Sequence, residues 1–213
     1  MKRLKVRNQK AKRNLEDTYL IVGFGNPGKG YQNTRHNLGF KAVDLFCSQL
    51  GLHLSDRRFQ ALSSSTNYHG KKIVVACPQT FMNLSGLSVK YLFDYYTPEV
   101  RNLMVIHDDL DLDVGRLKIV HGGGAGGHHG VESVVFHLMT NEFNRIRIGV
   151  GRPRYDEPIE DFVLSPPYED QKKPIKDILY SVVEAIELFI MNGVESAMNK
   201  FNSLTMREKE VER

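Results

Sequence analysis

Residues Ile21-Val22-Gly23-Phe24-Gly25-Asn26-Pro27-Gly28 read IVGFGNPG. An apolar, β-branched run that stops in glycine and turn residues is a buried strand delivering its C-terminal end to a loop. The same stretch holds a formal G-x-G-x-x-G, the pattern of a dinucleotide site. Such a site needs a helix to begin inside the glycines, so that its N-terminal N–H groups meet the pyrophosphate. Here the glycines run into Asn26-Pro27-Gly28-Lys29-Gly30-Tyr31-Gln32-Asn33, which is turn chemistry, and helical periodicity starts only near Gly39. The acidic residue due about twenty positions on finds only Asp44, inside that helical segment. A P-loop fails too, because Gly30 follows Lys29 where Ser or Thr is needed. The stretch therefore predicts a strand and a tight turn, and no cofactor.

Outward from it, Tyr19–Phe24, Lys72–Cys77, Leu103–His107, Arg116–Val120 and Arg145–Val150 read as strands, with Gln60–Tyr68 a weaker one. Helical spacing marks Phe40 to Leu50, Leu84 to Tyr95, Val131 to Leu138 and Ile175 to Ile190, then a shorter piece after Gly193 through Met198 and Phe201. Strand pairs mixed with helices predict an α/β fold: a single domain with a mixed twisted β-sheet covered by helices, and a site in the loops at strand ends. The expected organisation is a basic arm at residues 1–17, a catalytic domain at 18–203 and a charged tail at 204–213.

The 213 residues are 41% hydrophobic and 25% charged, and no apolar run is long enough to span a membrane. The first 17 residues carry seven Lys/Arg, Lys2 to Arg13, against Glu16 and Asp17. Without them the 29 basic and 25 acidic residues of the whole chain fall to 22 and 23, so any basic surface on the body is local. The arm has no apolar core and is not a secretory signal. It reads as a solvated leader, an extra contact to nucleic acid, or an organellar presequence. Cys47 and Cys77, without a secretion signal or metal spacing, read as reduced core residues.

Four polar segments stand out for chemistry: Gly25-Asn26-Pro27-Gly28, Thr34-Arg35-His36-Asn37, Thr80-Phe81-Met82-Asn83 and His107-Asp108-Asp109-Leu110-Asp111. A His can take a proton from water near neutral pH while an Asp fixes its tautomer, which makes His36 and Asp108 the natural pair. Amides such as Asn26 and Asn83 can hold water or donate to an oxyanion. No Ser or Cys sits in a nucleophile-elbow context, which favours a water nucleophile over a covalent intermediate. The bland alternatives are a structural His, capping Asn residues and an Asp ordering its own turn. A metal set drawn from His107, Asp108, Asp111, His128 and His129 lacks an established spacing. Gly122 to Gly130 holds six glycines in nine residues, costly to order and suggestive of a mobile loop approaching a ligand. Beside it lie Lys118 and, two apart on one strand face, Arg145 and Arg147. These are phosphate contacts if exposed and ion-paired supports if not.

Taken in order, VGFGNPG, TRHNLGF, PQTFMNLSG, IHDDLDL, GGGAGGHHG and RIRIGVG resemble the bacterial-type peptidyl-tRNA hydrolases from about Tyr19 to Phe201. The resemblance implies a cofactor-free, monomeric, cytoplasmic enzyme without a metal. It would hydrolyse the ester between a peptide, or an N-blocked amino acid, and tRNA, and so release tRNA for translation. It implies His36 as base, oriented by Asp108, with Asn26 and Asn83 positioning water and carbonyl. Tyr31, Phe81, Met82 and His129 would shape the substrate site, and Lys118 and Arg147 would contact the tRNA backbone. Two positions depart from the family pattern: His129 stands in the usual Asn place, and Val120 where a second Lys is common. A non-catalytic RNA-binding protein on the same fold and a metal-dependent hydrolase are the competing readings.

Overall fold

Strand β1 (Thr18–Gly23) lies in the middle of the sheet and is buried along its whole length. Its side chains alternate between two helical layers, so both faces must be apolar, and this is why the run shows no polar alternation. The computed structural model describes residues 18–211; the basic arm at 1–17 lies outside them. β1 pairs in parallel with β3 (Lys71–Pro78) on one side and β4 (Leu103–Asp109) on the other. β4 pairs in parallel with β6 (Asn144–Gly149). Antiparallel strands β2 (Ala61–Tyr68) and β5 (Leu117–His121) close the two ends, giving the order β2-β3-β1-β4-β6-β5. The predicted mixed sheet is therefore present, with each expected strand displaced by no more than a residue or two at its ends.

Helix α1 (Leu38–Gln49) packs on one face, and α2 (Ser85–Tyr96) and α3 (His129–Leu138) on the other. A five-residue helix α4 (Ile159–Val163) leads into the long α5 (Glu169–Asn192) and then α6 (Val194–Val211). Tyr19, Ile21, Ile73 and Ile106 meet Val43 and Phe46 of α1 and Ile186 of α5 in one core layer. Leu20, Val22, Val74 and Val105 meet Val89, Leu92, Val131 and Val134 in the other. Cys47 and Cys77 are free and buried, and burial, with Asp44 nearby, pushes the Cys47 thiol up to about 11.

Three features differ from the sequence reading. Helix α4 was not expected, because five residues are too few to show a period. Helix α5 begins at Glu169 rather than at Ile175, since its first turn is polar and only the later turns face the core. Helical backbone in α6 continues through Val211, into the segment read as a charged tail.

The glycines after β1 serve packing. A Cβ on Gly23 would lie 2.2 Å from the Gly39 carbonyl oxygen, and one on Gly39 would lie 2.3 Å from the Ile106 oxygen. This backbone-to-backbone approach seats the first turn of α1 against β1 and β4. The place of a Cβ on Gly25 is likewise filled by the Phe40 ring, so neither Gly23 nor Gly25 opens room for a ligand.

Candidate active site

Beyond β1 the chain makes two short 3-10 turns, Lys29–Tyr31 and Arg35–Asn37, before α1 starts at Leu38. The second turn points three consecutive side chains in three directions. Arg35 goes inward and is fully buried. Its guanidinium donates to the carbonyls of Phe162 (3.0 Å) and Pro166 (2.8 Å), to the Ser165 hydroxyl (2.7 Å) and to the Gln171 side chain (3.1 Å), and it stacks 3.8 Å from the Phe162 ring centre. Among the described residues no carboxylate pairs with it directly. Burial pulls its pKa below the ordinary value, and the ring of carbonyls satisfies the charge instead. Arg35 thereby fastens α4 and the start of α5 to the turn that carries His36.

Asn37 turns toward β1. Its Oδ1 accepts from the Asn26 N–H and its Nδ2 donates to the Asn26 carbonyl, both at 2.9 Å. The Asn26 side chain is oriented in turn: its Oδ1 accepts from the Met82 N–H at 2.8 Å. With the oxygen occupied, the Asn26 Nδ2 is left to donate, which makes this side chain a fixed N–H source rather than a general polar group.

His36, between them, meets Asp108 at the end of β4. Its Nδ1 lies 2.9 and 3.1 Å from the two carboxylate oxygens. Asp108 is 3% exposed and takes a second imidazole: His128 Nε2 is 3.2 Å from Oδ1. The His128 Nδ1 accepts from the N–H groups of Gly130 and Val131 at the start of α3, so the ring proton sits on Nε2 and donates to Asp108. Burial alone would raise the Asp108 carboxyl. The charge of His36 and the hydrogen bonds from His128 and His36 outweigh it and hold Asp108 well below the usual carboxylate range. Burial likewise opposes a charge on His36, and the Asp108 charge and hydrogen bond outweigh it, raising His36 above 6.5. His107 is buried, with Nδ1 2.7 Å from the Asp108 carbonyl. Burial and the neighbouring His128 keep it well below the ordinary histidine value.

His36 lies at the junction of a groove with two arms. One, of about 470 Å³, is lined by Asn26, Tyr31, Phe81, Met82 and Asn83. The other, of about 290 Å³, is lined by Asp109, Asp111, Gly126, Gly127 and Arg152. His129, Glu160 and Val163 border both. Phe81 is 57% exposed and meets Tyr31 edge to face at 6.4 Å, an open aromatic wall. Met82 is buried beneath it, and Asn83 is exposed on the short turn Met82–Leu84. His129 is exposed at the groove edge, with Nδ1 3.1 Å from Glu132.

The sequence-derived residues thus divide into two sets. His36, Asp108, Asn26, Tyr31, Phe81, Met82, Asn83 and His129 converge on one groove. Lys118 and Arg147 lie apart from it, side by side in the β5–β6 register. Arg147 is ion-paired with Asp109, and Lys118 is exposed. Arg145 is a support: it is buried and donates to the carbonyls of Gly122 and Gly124. The glycine segment is accordingly clamped at its start, with positive φ at Gly122, Gly123, Gly126 and Gly127, and is not the wholly mobile loop suggested by composition. The metal set drawn from sequence does not assemble: Asp111 pairs with Arg152, His129 with Glu132, and His107 bonds its own strand. Among the described residues one group offers three ligand atoms within 4.8 Å of one another, His36, Asp108 and His128. Those atoms already hydrogen-bond each other.

Sequence reasoning passed over Arg35, Asn37, His128 as a partner of Asp108, and Glu160. The signal for the first two was their place in Thr34-Arg35-His36-Asn37. Nothing local marked Glu160.

A parallel-centred sheet that sets an imidazole–carboxylate pair and side-chain amides around a groove at its strand ends defines an α/β enzyme of the hydrolytic class. The family model described as peptidyl-tRNA hydrolase matches residues 20–210. The peptidyl-tRNA hydrolases of Clostridium acetobutylicum and Alkaliphilus metalliredigens are each 41% identical; the first match covers 88% of this chain and all of the relative, the second 86% and 99%. The crystal structure of peptidyl-tRNA hydrolase from Acinetobacter baumannii superposes with a TM-score of 0.82 at 33% identity, over 88% of this chain and 96% of that one. The chain belongs to the peptidyl-tRNA hydrolase family and is an enzyme that hydrolyses peptidyl-tRNA. No helix among the described residues is long and apolar enough to cross a membrane.

Proposed function

We propose that His36 activates the water that cleaves the ester between peptide and tRNA. With Nδ1 bound to ionised Asp108, the neutral imidazole keeps its proton on Nδ1 and presents the Nε2 lone pair to the groove. Nε2 takes a proton from water as the oxygen attacks the ester carbonyl, and the imidazolium formed is stabilised by the buried carboxylate 2.9 Å away. The negative charge that develops on the carbonyl oxygen needs donors already in place, and Asn26 Nδ2, oriented through Met82, is one. Asn83 adds a second amide from the same arm. As the tetrahedral intermediate collapses, the ribose oxygen leaves with the proton that His36 took, restoring the neutral base. Tyr31, Phe81, Met82 and His129 border the acyl portion, and Lys118 and Arg147 meet tRNA phosphates. Every group in this account comes from one chain, which fits a monomer, and its substrate is a cytoplasmic one.

The observation that carries this reading is the engagement of His36 Nδ1 by a carboxylate held in turn by His128. The test is cleavage of N-acetyl-aminoacyl-tRNA by the intact protein beside His36→Ala. Rapid release of the acyl group by the first, with a loss of roughly a thousandfold or more in the second, is expected; equal rates would refute the role of His36.

A further inference from the structure

The carboxylates around the groove are matched, with one exception. Asp108 is held by His36 and His128, Asp109 pairs with Arg147, and Asp111 pairs with Arg152. Glu160 borders both arms next to His36, yet its carboxylate has no hydrogen bond or ion pair among the described residues. The Glu160 side chain is exposed, but its place on the backbone is fixed. It lies on α4, two residues before Phe162, whose buried ring and carbonyl are gripped by Arg35, the neighbour of His36. The distance between Glu160 and the base is thus set by the same side chain that sets the turn.

An unmatched carboxylate is a disadvantage in a site that receives a polyanion, since it repels phosphate at any distance the screening allows. It becomes favourable only if the substrate brings a positive group of its own to that spot. Val163 and Leu164, one turn further along, supply apolar surface beside it. A chain of methylenes ending in a cation suits such a wall, stem on the apolar residues and charge at the acid. We infer that Glu160 is a specificity-determining residue that favours substrates whose esterified residue carries a Lys or Arg side chain. The side chain of the esterified residue is attached next to the carbonyl that His36 serves, so it is the part of the acyl group most able to reach Glu160. This rests on the reading proposed above.

The test uses one tRNA and one ester, changing only the side-chain charge. Nα-acetyl-lysyl-tRNALys is compared with the same tRNA carrying lysine acetylated on both Nα and Nζ. The intact enzyme should favour the cationic substrate by about fivefold in kcat/KM at low salt, the scale of one partly exposed ion pair, and less as salt is added. Glu160→Gln should bring the two values together, and Glu160→Lys should reverse their order. A purely structural role would alter both substrates alike and leave the ratio where it was. Equal kcat/KM values in the intact enzyme, or a ratio unchanged in Glu160→Gln, would overturn the inference while leaving the hydrolase reading in place. Cleavage of neither ester would overturn the hydrolase reading and this inference with it.

Discussion

Replacing Asp108 with Asn changes one atom's chemistry at a buried point of the site. The carboxylate accepts from two rings, His36 Nδ1 at 2.9 Å and His128 Nε2 at 3.2 Å. Both rings reach the same oxygen, Oδ1, and His36 Nδ1 also lies 3.1 Å from Oδ2. An amide with its oxygen at the Oδ1 place still accepts from both rings but sets its NH2 against the His36 Nδ1–H. With its NH2 at that place it faces both rings: His36 Nδ1 must become the acceptor, which moves the proton to Nε2 and removes the lone pair from the groove, and His128, whose Nδ1 is committed to the start of α3, meets a donor. Either way the imidazolium formed in the transition state loses a full negative charge. Two unit charges about 4 Å apart interact by roughly 4 kcal/mol at an effective dielectric near 20, so kcat should fall by about a thousandfold. The pH dependence should move as well. In the proposed mechanism activity requires neutral His36, so in the intact enzyme it should rise with pH through a pKa raised above 6.5. Without the carboxylate the burial that opposes the charge remains, and the inflection should shift to lower pH. Single-turnover cleavage of N-acetyl-aminoacyl-tRNA across neutral pH measures both. A variant within tenfold of the intact enzyme, or with an unmoved inflection, would refute the argument.

Arg35→Met removes the Nη1 and Nη2 donors that hold the Phe162 and Pro166 carbonyls, the Ser165 hydroxyl and the Gln171 side chain, while keeping some of the stacked volume; a loss of about 3 kcal/mol in unfolding free energy is expected, read by denaturant titration. Asn37→Ala frees the Asn26 backbone and lets its side chain wander, so kcat should drop by about tenfold or more with a smaller loss of stability, on the order of 2 kcal/mol; an unchanged kcat would separate Asn37 from the chemistry. Lys118→Ala and Arg147→Ala should weaken tRNA binding with little effect on saturated turnover, each lowering the slope of log K against log salt by about one unit. Arg147→Ala also leaves Asp109 unpaired at the groove, so its effect should exceed that of Lys118→Ala.

The legible part of the molecule is the part whose signal is local. Strand runs such as Leu103–His107 and helix spacing such as Val182, Val183 and Ile186 report burial residue by residue, and the sheet followed from them. The roles of His36 and Asp108 were suggested by side-chain chemistry and by family resemblance; their 2.9 Å approach was beyond periodicity, since 72 residues separate them. What stayed hidden depends on the direction in which neighbours point. Thr34-Arg35-His36-Asn37 offers four polar side chains in a row, and nothing in their order says that Arg35 is buried, His36 faces the groove and Asn37 holds Asn26. That is decided by a 3-10 turn, which rotates each residue about a third of a revolution from the last. Glu160 was hidden for a related reason, because a single helical turn gives no repeat from which to read its face. Composition misled at the glycine segment: six glycines indicated freedom, whereas Arg145, on a strand 21 and 23 residues from Gly124 and Gly122, ties the carbonyls of those two down.

The sheet ends at β5, whose outer backbone would ordinarily be an open row of donors and acceptors able to recruit a strand from another molecule. Asn202 of α6 occupies the centre of that row, its Oδ1 accepting from the Ile119 N–H at 2.8 Å and its Nδ2 donating to the Ile119 carbonyl at 2.9 Å. One side-chain amide thus imitates the peptide group of a neighbouring strand and stops the sheet from growing. Since β5 also carries the exposed Lys118, the same plug denies a foreign strand the sheet edge beside that cation.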